Sequence, residues 1–132
     1  SKKMKYELIK PTKIYVKEIL NLVKNNLINS SAHITGGGLV ENILRSVPDN
    51  LTINIDLNKI KVKKIFKWIK KYNISDTEML KTFNCGIGFC LVSNKKNIKK
   101  IKKFFSKDFQ PYEIGYITRD KKKINLFNKI KW

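Results

Sequence analysis

The 132-residue sequence predicts an α/β (α+β) fold in which a mixed β-sheet is packed by helices. Three observations carry this. Residues 51–57, LTINIDL, alternate apolar and polar side chains with a period of two. Val16, Ile19, Leu20, Val23 and Leu27 recur at three- and four-residue steps, the stripe of one helical face. Segments of these two kinds then alternate along the chain, with no internal repeat and no linker rich in Pro, Gly or Ser. One domain over residues 1–132 is therefore expected.

The elements follow in order. MKYELI, residues 4–9, reads as a short opening strand, and Pro11 breaks it. The Val16–Leu27 stripe is the first helix. SSAHIT, residues 30–35, is short and partly β-branched, a strand running into three glycines. Leu39, Val40, Ile43, Leu44 and Val47 form the next helical stripe, closed by Pro48. LTINIDL is a half-buried strand, with Leu51, Ile53, Ile55 and Leu57 on one face and Thr52, Asn54 and Asp56 on the other. Val62, Ile65, Phe66 and Ile69 mark a lysine-coated helix. Ser75 or Asp76 is placed to cap a further helix ending at Phe83, since each offers a side-chain oxygen to orphan amides. CGIGFCLVS, residues 85–93, is a continuous apolar run and reads as a central strand. Ile98, Ile101, Phe104 and Phe105 mark a last helix, and YEIGYIT and KINLFN two strands joined by a polar turn at Asp120.

Composition sets bounds on function. There are 29 basic residues against 10 acidic, a formal charge of +19. That balance favours a polyanionic partner such as nucleic acid, an anionic membrane or a phosphorylated ligand. It has a second source: only Arg45 and Arg119 are arginines, and Lys, Ile and Asn are enriched together, as A/T-rich coding drift produces. A small basic nucleic-acid-binding module is thus the alternative to an enzyme. Its Lys/aromatic segments, KKIFKWIKK and IKKFFSK, place most rings on apolar helical faces, leaving Trp68 and Tyr72 at the rim, whereas base stacking needs exposed rings. Cys85 and Cys90 lie five apart in the predicted strand and point to opposite faces, so buried free thiols are expected. With one distant histidine they make no zinc site. No apolar run reaches membrane-spanning length and no signal peptide opens the chain. The Ser-Lys-Lys start without Met fits a processed or cut piece, and the expected location is cytoplasmic.

Chemistry concentrates in AHITGGGLVEN, residues 32–42, which holds the sole histidine, His33, and half the glycines. Gly36, Gly37 and Gly38 permit backbone conformations and approaches that a Cβ forbids, and freed amides between a strand and a helix suit a phosphate. A plain glycine-rich turn without a ligand is the bland reading. No Walker Gly-Lys-Ser/Thr follows; Leu39 stands there. His33 and Thr35 share one side of an extended chain, where an imidazole can bond a ligand, relay a proton, or simply bond backbone. In TFNCGIG, residues 82–88, Gly86 and Gly88 fall on one face of the predicted strand, which implies a close neighbour, helix or ligand; Asn84 stands at its edge. The acidic residues form no evident cluster that would hold Mg²⁺ for ATP chemistry.

PTKIYVK (11–17), AHITGGGLVENI (32–43), VPDN (47–50), IFKWI (65–69), EMLKTFNCGIG (78–88) and EIGYI (113–117) occur in one order. Together they resemble, over nearly the whole chain, the C-terminal domain of the aminoimidazole ribonucleotide synthetases, or phosphoribosylformylglycinamidine cyclo-ligases. Formylglycinamidine ribonucleotide synthase and selenophosphate synthetase have a similar domain but tend to carry aspartate at His33 and a different glycine pattern. The resemblance implies a helix-covered sheet, loosely ferredoxin-like. It implies ATP-driven closure of the imidazole ring of formylglycinamidine ribonucleotide, with ATP and Mg²⁺ held mainly by an N-terminal domain not contained in these 132 residues. That domain also makes most of a homodimer contact, so the isolated piece is expected to be inactive. Carried over residue by residue, Gly36, Gly37 and Gly38 cradle a phosphate, Thr35 adds a hydroxyl, His33 and Asn84 line the cleft, and Thr12 lies near the missing domain. Which phosphate is bound, substrate or ATP, stays open. Lys13 and Lys81 stand where arginine is more usual, which weakens any bidentate contact there. Gly37→Val is expected to abolish activity in the full-length enzyme while leaving the fold intact.

Overall fold

The computed structural model describes residues 2–132, with side chains from Met4 onward. Six helices and five strands make an α+β fold, as expected: α1 (Lys2–Ile9), α2 (Val16–Lys24), β1 (Ser30–His33), α3 (Gly38–Leu44), β2 (Leu51–Asp56), α4 (Lys64–Lys70), α5 (Asp76–Thr82), β3 (Phe89–Val92), α6 (Ile98–Lys102), β4 (Gly115–Arg119) and β5 (Lys123–Phe127). The strands form two sheets. β1 and β3 pair antiparallel, His33 opposite Phe89. β2 is the centre of a mixed three-stranded sheet, antiparallel to β4 and parallel to β5.

Two strand expectations fail for physical reasons. Residues 4–9 are part of α1, not a strand. Lys, Met, Glu and Leu are strong helix formers, and no strand edge pairs with this segment. The apolar run 85–93 is not a central strand. Cys85 and Gly86 take positive φ of 51° and 107° and turn the chain, so only Phe89–Val92 extends, and it pairs with β1 alone. Gly86 and Gly88 therefore do not share a strand face.

β2 is confirmed, but both of its faces are covered. Ile53 and Ile55 enter the main core, while Thr52 and Asn54 on the other face are buried as well. Hydrogen bonds compensate for that burial. Thr52 Oγ1 donates to the Lys121 carbonyl (2.7 Å), Asn54 Nδ2 to Thr118 Oγ1 (3.1 Å), and Asn125 Nδ2 to Asn54 Oδ1 (2.9 Å). The link between β4 and β5 passes the start of β2, where the Asp120 and Lys122 amides donate to the Asn50 and Asp49 carbonyls (3.1 and 2.7 Å). The two last strands thus flank β2 instead of pairing with each other.

Ser75 caps α5 as expected, its hydroxyl accepting from the Glu78 amide (3.1 Å). That cap lets Met79 and Leu80 enter the main core with α3 and both sheets; burial of each such side chain contributes about 1.5–3 kcal/mol. A smaller cluster, Leu22, Leu27 and Ile101, joins α2 to α6. Both cysteines are buried free thiols; burial pushes Cys85 up to about 11 and Cys90 up to about 12.

The chain's end is tied to α4 and α5 through one carboxylate. Asp76 accepts from Lys70 Nζ (2.7 Å) and from the Trp132 indole (2.8 Å), and the Lys70 ammonium also lies 5.5 Å from the Trp132 ring. The hydrogen bond from Lys70, then that from Trp132, holds the Asp76 carboxyl below its usual range. A lowered folded pKa contributes stability that is fully present above the unfolded value, about pH 4, and is lost as pH falls through the folded value. In a Trp68→Phe background, Trp132 emission should shift to the red as pH falls below about 4. Adding Asp76→Asn should remove that acid-dependent step.

Candidate functional site

The glycine stretch is held from one side chain. Buried Asn42, one turn into α3, directs its Nδ2 to the carbonyls of Gly38 (2.7 Å), Gly36 (3.0 Å) and Thr35 (3.4 Å). The Gly38 amide closes the turn onto the Thr35 carbonyl (3.1 Å). With the carbonyls gathered inward, the amides of Gly36 and Gly37 find no acceptor among the described residues. Within AHITGGGLVEN the sequence alone assigns Asn42 no role. Its signal is an Asn with no cap or turn to serve, four residues after a glycine run.

The three glycines serve different needs. Gly38 (φ +62°) lies against the end of α5, where a Cβ would overlap the Leu80 carbonyl. Gly37 (φ +90°) has the Glu41 side chain over it. Gly36 has neither constraint: its φ is ordinary and a Cβ there meets nothing within 4 Å. Gly37→Val therefore strains the backbone whether or not a ligand is present, contrary to the expected intact fold. Gly36 is the position that tests for a ligand.

Two depressions hold the other residues in question, and only the second is lined by the glycine stretch. The first, about 500 Å³, brings together His33 and Thr12 with Tyr15, Phe89 and aliphatic residues of α2. His33 ends β1 exposed; its ring stacks on Phe89 (centroids 5.5 Å, 21°) and meets Tyr15 edge-on at 6.1 Å. No hydrogen bond from His33 to backbone is found among the described residues, so the imidazole is not a backbone-bonded structural histidine here. The second depression, about 340 Å³, includes Gly37, Glu41 and Lys81. Glu41 pairs loosely with Arg45 (3.7 Å), and Lys81 makes no ion pair among the described residues. Lys13, by contrast, is tied to Glu18 (2.8 Å), and that hydrogen bond holds Glu18 below its usual range.

Asn84 is not an open edge residue. Its Oδ1 accepts from the Gly86 amide (3.0 Å) and its carbonyl from the Ile87 amide (2.8 Å), fixing the turn before β3. Among the described residues no three His, Cys, Asp or Glu side chains converge on a common point. Trp68 and Tyr72 do lie at the rim of α4, in an edge contact at 5.3 Å, while Phe66 and Phe83 pack on the core.

A family model described as AIR synthase related protein, C-terminal domain, matches residues 1–126. The chain belongs to this family. It is 44% identical over 119 residues to the phosphoribosylformylglycinamidine cyclo-ligase of Streptococcus pneumoniae serotype 4 (strain ATCC BAA-334 / TIGR4). The same identity holds to that of strain Hungary19A-6. Each match covers 89% of this chain and 34% of the relative, so the chain spans about a third of the relatives' length. The resemblance drawn from the quoted segments therefore stands, with its α+β fold. The Asn42-held loop, the exposed His33 and the aromatic depression are thus features of this member of the family.

Asn42 should be costly to replace. Asn42→Leu keeps the approximate volume but leaves the loop carbonyls without their donor, and a lost buried partner costs about 1–3 kcal/mol. A urea unfolding free energy lowered by that amount, seen as a lower midpoint at unchanged m-value, would confirm the staple; an unchanged midpoint would contradict it.

Proposed function

We propose that this chain is the C-terminal part of a purine-biosynthetic ligase. That enzyme closes the imidazole ring of formylglycinamidine ribonucleotide with ATP, giving aminoimidazole ribonucleotide, ADP and phosphate. The observation that carries the reading is Gly36. Neither backbone conformation nor packing within the chain requires glycine there, yet it sits where two backbone amides are unpaired. A glycine of that kind suits close approach by a group from outside, and unpaired amides suit a phosphate. The likeness to cyclo-ligases supplies the substrate class.

In this reading the Gly36 and Gly37 amides, with the Thr35 hydroxyl, hold a phosphate. Lys81 adds a cation, as a point charge without the fork of an arginine. Thr12 and His33 line the cleft beside it. ATP transfers phosphate to the formyl amide oxygen, the amidine nitrogen attacks that carbon, and phosphate departs. His33 is the side chain assigned here to accept the proton which the attacking nitrogen sheds. Asn84 shapes the cleft wall through its turn. No carboxylate cluster on the described residues fits Mg²⁺, so no step is assigned to the ion here. Mg²⁺ and most ATP contacts belong to an N-terminal domain, which also forms a homodimer, in a cytoplasmic enzyme.

Gly36→Ala in the full-length enzyme tests the loop. The substitution is free of strain and clash in this chain, so thermal stability should not change. The KM of the substrate whose phosphate it holds should rise about tenfold, the worth of one lost amide contact. Wild-type kinetics in the folded variant would remove the loop from the site. A second expectation concerns the 132 residues alone: they should show no ATP-dependent ring closure, and measured turnover would refute the division of labour between domains.

A further inference from the structure

Val16, Leu20 and Val23 belong to the apolar stripe that the sequence predicts as one helical face, yet the structure leaves them open. They stand 61%, 61% and 54% exposed, and Ile14 just before them 77%. Only Ile19, Leu22 and Leu27 reach the small cluster that joins α2 to α6. Steps of four and three residues set Val16, Leu20 and Val23 in one line along α2, beside that buried face and not within it. A helix with two adjoining apolar faces is suited to cover on two sides. The segment is also held in place. Lys13 is fastened to Glu18 (2.8 Å) and lies over the Phe109 ring (4.4 Å). Tyr15 packs on Phe89 at 5.1 Å, with its hydroxyl against Gly88, where a Cβ would overlap it. Gly88 is thus explained by a side chain of this chain, neither a helix nor a ligand. With both neighbours anchored, Ile14 stands exposed on a fixed loop.

Charge, continuity and chain length distinguish what covers this line. Lys17 and Lys24 flank it on one side and make no ion pair among the described residues. Glu18, the one acid in α2, is taken by Lys13. Two copies packed antiparallel about Leu20 would bring Lys17 of one against Lys24 of the other, in a chain of net charge +19, so charge opposes a second copy. The line is continuous with the depression of about 500 Å³ that holds Thr12 and His33, which Ile14, Val16 and Leu20 also line. The matching family is a C-terminal domain and the chain spans about a third of its relatives' length, so most of a relative lies upstream of this domain. We infer that Ile14, Val16, Leu20 and Val23 form the docking face for the domain that precedes this one in the full-length enzyme, which meets them with an apolar surface edged by carboxylates for Lys17 and Lys24. Seated there, that domain also closes the depression over His33. The presence of an upstream domain rests on the ligase reading above; the choice of face rests on the exposure of these four side chains.

The test uses the full-length enzyme and reads contacts, not activity. Carbene footprinting of the wild-type protein should modify the four side chains about tenfold less than in the urea-unfolded chain, as the dry centre of an interface requires. Photo-crosslinking from p-benzoylphenylalanine in place of Val23, at the end of the line, should join this domain to an upstream peptide within a band of monomer mass. Modification lowered by only about twofold, the loss that 54–77% exposure in this domain predicts, would overturn the inference. So would a cross-linked band of twice the monomer mass, which would seat a second copy on the face, or a cross-link confined to residues 1–132. An enzyme that protects the face but does not consume formylglycinamidine ribonucleotide would sink the ring-closure reading alone, so the two failures are distinct.

Discussion

The local architecture depends on one side-chain amide. Asn42 gathers three carbonyls of the 35–38 stretch, and the geometry on either side follows from that. With those carbonyls held, the Gly36 and Gly37 amides are left without an acceptor among the described residues. α3 is bound to the chain that precedes it, so β1 and its terminal His33 are fixed relative to the helix. Gly38 then lies against the Leu80 carbonyl, which brings the end of α5 under the loop and places Lys81 beside Gly37. A buried amide has value in such a place because each carbonyl it satisfies would otherwise carry a desolvation penalty of about 1–3 kcal/mol. The loop's form is held by bonds within the chain, and a site already formed loses less entropy on binding.

Elements governed by local rules were legible in the sequence. The alternation of residues 51–57, the stripe of α2, the Ser75 cap and the polar turn before β5 each announce themselves within a few residues. What failed was set by distant partners. MKYELI places Met4, Tyr6 and Leu8 two apart, a strand-like spacing, but without a sheet edge to join, its helix-forming residues prevail. The run 85–93 is uniformly apolar, and nothing in its composition reveals that Cys85 adopts positive φ. Burial on both faces of β2 was equally hidden, since the partners of Thr52 and Asn54 lie more than 60 residues away.

The candidate site shows the same division. TGGG was conspicuous, and its neighbours His33 and Thr12 do share a depression. Asn42 and the turn made by Asn84 were not readable as roles: their partners lie within seven residues, but they depend on backbone turns that the letters do not show. The glycine letters also conceal three unlike positions. Gly38 answers to packing, Gly37 to backbone conformation, and Gly36 to neither. Only the structure separates a glycine required by the fold from one the fold leaves unexplained.

Charge acts here at two ranges. The excess of 19 positive charges gives the surface a general attraction for anions, screened within about 8–10 Å at ordinary salt. That field cannot choose among lysines, most of which are exposed and interchangeable. At the loop the local balance is different: the Glu41 carboxylate lies over Gly37, with Arg45 within 3.7 Å and Lys81 across the depression. A phosphate arriving at the unpaired amides would repel Glu41 and attract Lys81. Because Glu41 is exposed and its pairing is loose, the carboxylate can swing toward Arg45 at small energetic cost. The general field thus raises the local concentration of anions, and in the proposed site it is the Asn42-held backbone, not the lysine count, that would select where one binds.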